Sequence, residues 1–215
     1  MQRLAIAVLL TGCCYSPTAS PDTPTPAPSA PAGPSGPGAP GCPDLTTAIV
    51  GTWTREGLVE EYREDGTYVI NGVSGTYRFT SPGRAVLDEP STGLHAEYDL
   101  GLADPMTLVA INPGNVALTY ARSSAPPSIP AHCFDLGTAF ARTWMPRAGG
   151  PPEVYSADGA YTVSGTGRWS FTAPGRLLLV RSADSMTTDY VVAMPSATTM
   201  LAVRAGVGAA YDAAP

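Results

Sequence analysis

Between residues 50 and 212, short segments alternate apolar and polar positions with a period of two, and none shows a sustained helical period. Tyr77 and Phe79 alternate with Arg78 and Thr80; Trp169 and Phe171 alternate with Arg168 and Ser170. Tyr98, Leu100 and Leu102 share one face of a later segment, and Tyr190, Val192 and Met194 share one in another. A period of two puts the apolar set on one side of an extended chain, so these segments are predicted strands. Turn signals separate them. Asp65-Gly66 and Asp158-Gly159 supply the positive φ of tight turns, and Pro82-Gly83 and Pro174-Gly175 suit type II turns. Predicted strands start near Val50, Leu58, Thr67, Gly75, Arg84, His95, Met106 and Val116. Spacing of about 8–11 residues argues for an antiparallel meander.

The same pattern occurs twice. Cys42-Pro43-Asp44-Leu45 matches Cys133-Phe134-Asp135-Leu136, and Trp53 matches Trp144. Gly75-Thr76-Tyr77 matches Gly167-Arg168-Trp169, Tyr98 matches Tyr190, and Leu108 to Ile111 matches Met200 to Val203. Such self-similarity marks an internal repeat. The second copy repeats seven of the eight segments clearly, and its last, near 207–212, is rich in Gly and Ala and weak. The expected fold is all-β: two tandem antiparallel meanders, repeat 1 over 44–123 and repeat 2 over 135–212, joined by a linker at 124–134. One larger barrel or sandwich sharing strands between the copies is the alternative.

The first 43 residues read differently. Arg3 precedes an apolar stretch from Leu4 to Leu10, too short to span a bilayer. Leu10-Thr11-Gly12-Cys13 resembles the lipobox of bacterial lipoproteins. The resemblance implies a signal peptide at 1–12 and lipid on Cys13. It further implies export and a membrane anchor, in the outer membrane if the cell has two. Residues 13–43 are dominated by Pro, Ala, Ser, Thr and Gly, with ten prolines between Tyr15 and Pro43. They can bury almost nothing and read as a disordered tether; a PxxP ligand for a partner domain is the sharper alternative.

Composition narrows the chemistry. The chain of 215 residues has no lysine, which excludes Schiff-base and P-loop lysine chemistry. A net charge of −6 without basic clusters argues against nucleic acid as a partner.

Gly51-Thr52-Trp53 at the head of the meander, followed by a Glu/Tyr strand, an Asp-Gly turn and a Gly-x-Tyr strand, resembles lipocalin-like (calycin-type) barrels. That resemblance implies an eight-stranded barrel and an arginine late in each repeat packing over the opening tryptophan. Arg122 stands at that place in repeat 1. In repeat 2, Arg142 replaces the glycine before Thr143-Trp144, and Tyr211-Asp212-Ala213 lacks the arginine, which leaves the closure around Trp144 open.

Cys42 and Cys133 occupy one position in the two copies, and paired thiols oxidise outside the cytoplasm. They are disulfide candidates; two free thiols, or pairing with Cys14, are the alternatives. Metal binding would have to use His95, His132 and Cys133. His132 and Cys133 point opposite ways if extended, His95 lies on another strand, and the spacing fits no zinc pattern. No metal site and no cofactor is expected. Glu60-Glu61, Glu64-Asp65 and Asp88-Glu89 could suggest glycoside hydrolysis, but strand neighbours face opposite sides and solvated edge charges explain them. No nucleophile motif is present. The aromatic set Trp53, Tyr68, Tyr77, Phe79 and Tyr98, with Trp144, Tyr161, Trp169, Phe171 and Tyr190, could line a cavity; a small barrel is more simply filled by it. The expected role is a non-enzymatic, membrane-anchored binding or accessory module for a small apolar ligand or an envelope protein. A purely structural protein with filled barrels is the second expectation, and a hydrolase with an unrecognised carboxylate site the third.

Overall fold

The computed structural model describes residues 39–163 and 165–215. The expected signal peptide at 1–12, Cys13, Cys14 and the tether up to residue 38 lie outside the described residues. Packed structure begins inside the segment read as tether, since Ala39 is buried and Cys42 packs against the first core.

The first repeat contains β1 (Gly51–Arg55), β2 (Leu58–Tyr62), β3 (Thr67–Ile70), β4 (Val73–Ser81), β5 (Arg84–Glu89), β6 (Leu94–Asp104), β7 (Thr107–Ile111) and β8 (Ala117–Arg122). The second contains β9 (Thr143–Pro146), β10 (Glu153–Tyr155), β11 (Ala160–Thr162), β12 (Thr166–Ala173), β13 (Arg176–Arg181), β14 (Thr187–Ser196), β15 (Thr199–Arg204) and β16 (Val207–Ala213). Each set forms its own closed antiparallel barrel, with β1 pairing β8 and β9 pairing β16. The chain is thus two tandem eight-stranded barrels, consistent with lipocalin-like barrels, and strands are not shared to make one larger barrel. The last segment, read as weak, is a seven-residue strand paired to β15 from Thr199↔Asp212 to Arg204↔Val207.

The turns form as their residues dictate. Gly66 takes φ 79° and Gly159 φ 82°, and the Asp65 and Asp158 carboxylates accept from the backbone N–H of Thr67 (2.9 Å) and Ala160 (3.0 Å). The Gly-x-aromatic strand is explained inside the barrel. A Cβ on Gly75 would meet the Tyr68 ring at 2.6 Å and the Asp88 carbonyl, and one on Gly167 would meet the Tyr161 ring and the Val180 carbonyl. Each glycine makes room for an inward-facing tyrosine on the neighbouring strand.

One feature of each repeat escaped the strand pattern. A single helical turn precedes the opening strand: α1 (Leu45–Ala48) and α2 (Gly137–Phe140). Four residues show no periodicity, and a helix so short has no stability of its own. Side-chain hydrogen bonds from nearby residues and burial of one apolar side chain hold both. The Trp53 indole donates to the Ile49 carbonyl (2.8 Å) and the Trp144 indole to the Phe140 carbonyl (3.0 Å). Asp44 caps α1 by accepting from the Thr47 N–H at 2.9 Å. Ile49 and Phe140 are fully buried and plug the barrels.

Three clusters make the core. One fills barrel one around Trp53, Tyr62, Tyr68 and Leu108; a second fills barrel two around Phe140, Trp144, Tyr155 and Met200. The third joins the barrels through outward-facing residues of β6, β7, β8, β14, β15 and β16: Ala103, Val109, Ile111, Ala117, Ala193, Leu201, Val203 and Ala210. Small residues permit this approach, since a Cβ on Gly101 would lie 2.9 Å from Ala193 and one on Gly208 would lie 2.8 Å from Ala117 and Ile111. Two main-chain bonds cross the same seam, from Ala117 N–H to the Gly206 carbonyl and from Gly208 N–H to the Asn115 carbonyl, each 2.9 Å. Arg147 adds an ion pair, bridging Asp212 of its own repeat to Asp99 of the other.

Candidate functional site

The segment at 124–134 is more than a linker. Ile129 packs against the first core, and residues 131–134 coil into a 3-10 turn, Ala131–Phe134, with Cys133 and Phe134 buried. That turn brings Cys133 to Cys42, and the two form a disulfide with Cα atoms 5.6 Å apart across a separation of 91 residues. The bridge links the lead-in of the first barrel to the lead-in of the second.

Beside it, a cleft of about 470 Å³ opens between the repeats. Phe79 and Leu102 of barrel one, Leu45 and Ala48 around α1, Ile129 and Phe134 of the connection, and Leu136 and Met194 of the second repeat give it apolar walls. Asp44, Thr80, Ser81 and Ser196 add polar groups, and Cys42 and Cys133 form part of the lining. Reading each repeat alone could not locate this space, because both repeats and the connection contribute to it.

The two tryptophans are closed differently. The Arg122 guanidinium lies 4.1 Å from the centre of the Trp53 ring and is buried. It donates to the carbonyls of Ala48 (2.6 Å), Val50 (2.7 Å) and Pro105 (2.9 Å), so one side chain ties β8 to α1, the start of β1 and the β6–β7 turn. In repeat 2, Ala213 stands opposite Trp144 where Arg122 stands opposite Trp53. The cation there comes from the other flank: Arg142 lies 5.6 Å from the Trp144 ring and donates to the Ala197 carbonyl at 2.8 Å. The residue that breaks the Gly-x-Trp pattern thus supplies a weaker, more exposed contact from the opposite flank.

The carboxylate pairs separate across the sheet. Glu61 faces solvent with Arg63, Asp65 holds its turn, and Asp88 pairs with His95 on the outside of β5 and β6. Glu60 and Glu89 are buried, which corrects the expectation of solvated edge charges for these two. Their inward position follows from strand alternation once the register is fixed. The Tyr62 hydroxyl donates to Glu60 at 2.9 Å, and Thr92 donates to Glu89 at 2.6 Å. Burial raises the Glu60 pKa above its usual value, opposed by the hydroxyls of Tyr120 and Tyr62 and by Arg55. Repeat 2 has the same set: Tyr155 and Tyr211 donate to the two oxygens of Glu153 at 2.9 and 3.1 Å. The Glu-x-Tyr spacing shared by Glu60-Tyr62 and Glu153-Tyr155 was the available signal for it. Burial also raises the tyrosines, Tyr68 to about 12 and Tyr155 further, which keeps both hydroxyls protonated.

The aromatic residues pack on one another. Phe140 lies 4.5 Å from the Tyr155 ring, 5.1 Å from Trp169 and 5.2 Å from Phe171, and Tyr62 meets Tyr77 edge-on at 5.2 Å. His95 is remote in sequence and exposed on β6. His132 is not directed away from Cys133 as an extended segment would require, because the 3-10 turn rotates neighbours by about a third of a circle rather than half. Ligand atoms of Cys42, His132 and Cys133 lie within 4.8 Å of one another. Among the described residues, no helix is long and apolar enough to cross a membrane. No known protein family, curated protein or solved structure matches this chain.

Proposed function

We propose that the chain is a non-enzymatic, lipid-anchored envelope module that binds a small apolar molecule in the cleft between its barrels. The observation that carries this reading is the cleft itself, about 470 Å³ with predominantly apolar walls and a few polar groups. Sites for small molecules occupy roughly 300–1,000 Å³ and combine apolar lining with sparse polar groups in the same way. In this reading the lipobox-like Leu10 to Cys13 supplies the anchor and the proline-rich segment after it the tether. The carboxylates read as structural: Glu60 accepts from Tyr62 within barrel one, Glu89 accepts from Thr92 of the β5–β6 turn, and Glu61 and Asp88 pair on the outside with Arg63 and His95.

A polarity-sensitive naphthalene sulfonate dye tests the reading. It is expected to saturate at one site per chain and to be displaced by a medium-chain fatty acid. Thr46→Trp with Ala197→Trp adds bulk from two exposed residues that line the cleft, one from each repeat. It should weaken uptake by at least about tenfold with unchanged circular dichroism. Absence of saturable uptake by the natural chain would sink the ligand reading and leave the filled, aromatic barrels as a structural envelope protein.

A further inference from the structure

We infer that Cys42, Cys133 and His132 form a redox-controlled cation site: a disulfide when oxidised, and a Cys2His site for a thiophilic d10 cation when reduced. This goes beyond apolar ligand binding and does not depend on it. Three observations place the site. The candidate ligand atoms of the three residues fall within 4.8 Å of one another. The 3-10 turn Ala131–Phe134 turns His132 and Cys133 toward Cys42 together, where an extended segment would separate them. Cys42 and Cys133 are both among the residues that line the cleft, which sets the bridge at its wall.

The donor set fixes the class of ion. Two thiolates and an imidazole favour Zn(II) or Cu(I) over hard cations such as Mg(II) or Ca(II), which take oxygen ligands. With three protein ligands, a fourth position is open to water or a bound group. The His132 ring nitrogen Nε2 sits 3.3 Å from the Pro40 carbonyl, an exposed contact that metal binding can exchange without disturbing the core. The redox step balances with a dithiol as reductant. Two electrons and two protons pass from the dithiol to the Cys42–Cys133 bond, giving two thiols and an oxidised cyclic disulfide. Binding of the cation then releases those two protons as the thiols ionise.

The test uses the full chain with Cys13→Ser and Cys14→Ser, so that only this pair of cysteines remains. The protein is reduced anaerobically with a dithiol, freed of it, and titrated with Zn(II) against a chromophoric chelator; Co(II) then reports thiolate ligation by its charge-transfer absorbance. Reduced protein should bind one equivalent, at least about 100-fold more tightly than oxidised protein, which lacks both thiolates. His132→Ala should weaken binding at least about tenfold while leaving disulfide formation and circular dichroism unchanged. Equal uptake by both redox states overturns the proposal, as does unaltered affinity in His132→Ala. Loss of near-ultraviolet dichroism on reduction, without recovery on adding Zn(II), overturns it too.

Discussion

Arg122 concentrates on one side chain what several residues share elsewhere. Its guanidinium stacks on Trp53 and serves three carbonyls, all within the closing end of barrel one. Arg122→Ala leaves those carbonyls without their donor and should cost about 3–5 kcal/mol, since each buried unpaired group carries its own desolvation penalty. Arg142→Ala removes one carbonyl bond from a half-buried residue and should cost about 1 kcal/mol. Urea unfolding followed by tryptophan fluorescence measures both. Glu60 gives a pH signature. Its folded pKa is raised by burial, so above its usual value near 4.5 the unfolded chain releases a proton that the folded chain still holds. Its contribution to stability is therefore fully present in acid and declines as pH rises through that interval. Glu60→Gln keeps a partner for the Tyr62 hydroxyl and removes this decline. The variant's urea midpoint, relative to the natural chain, should be higher at about pH 8 than at about pH 4.

At the scale of elements, the strands were legible and the helical turns were not. Alternation around Tyr77-Arg78-Phe79 and Trp169-Ser170-Phe171 places β4 and β12, because period two is a local property of an extended chain. Each turn is closed by the indole of the opening tryptophan of the next strand, α1 takes the Arg122 guanidinium as well, and a single helical turn is too short to show a period of its own. Their role is measurable. Phe140→Ala opens a cavity among Tyr155, Trp169 and Phe171 and should cost about 3–5 kcal/mol, read from the urea midpoint. Gly75→Ala forces a Cβ into the Tyr68 ring and should cost about 1–3 kcal/mol by overpacking.

For the whole molecule, the disulfide and the shared apolar seam act separately. In the chain-entropy model a bridge over 91 residues contributes about 4–5 kcal/mol, by shrinking the unfolded ensemble rather than by holding the barrels in contact. Contact between the barrels comes from Val109, Ile111, Ala193, Leu201 and their neighbours. Cys42→Ser with Cys133→Ser should therefore lower the urea midpoint yet keep a single cooperative transition, followed by fluorescence and by circular dichroism. Two separated transitions would show that the bridge, and not the seam, couples the repeats.

Local information determined the repeats, the strand positions and the hairpin turns, and it made Cys42 and Cys133 candidates for a bridge that the tertiary structure then showed. Each rests on short-range periodicity or on symmetry of position, which a single chain displays directly. The seam was half visible: Leu108 to Ile111 and Met200 to Val203 are apolar at consecutive positions, more than one buried face requires. Only the tertiary structure decided that the second faces of these strands meet each other. It also decided that Glu60 and Glu89 are buried and that His132 shares a corner with both sulfurs. These depend on register, on barrel closure and on the approach of one repeat to the other. All three join residues far apart along the chain, and alternation within a strand is blind to them.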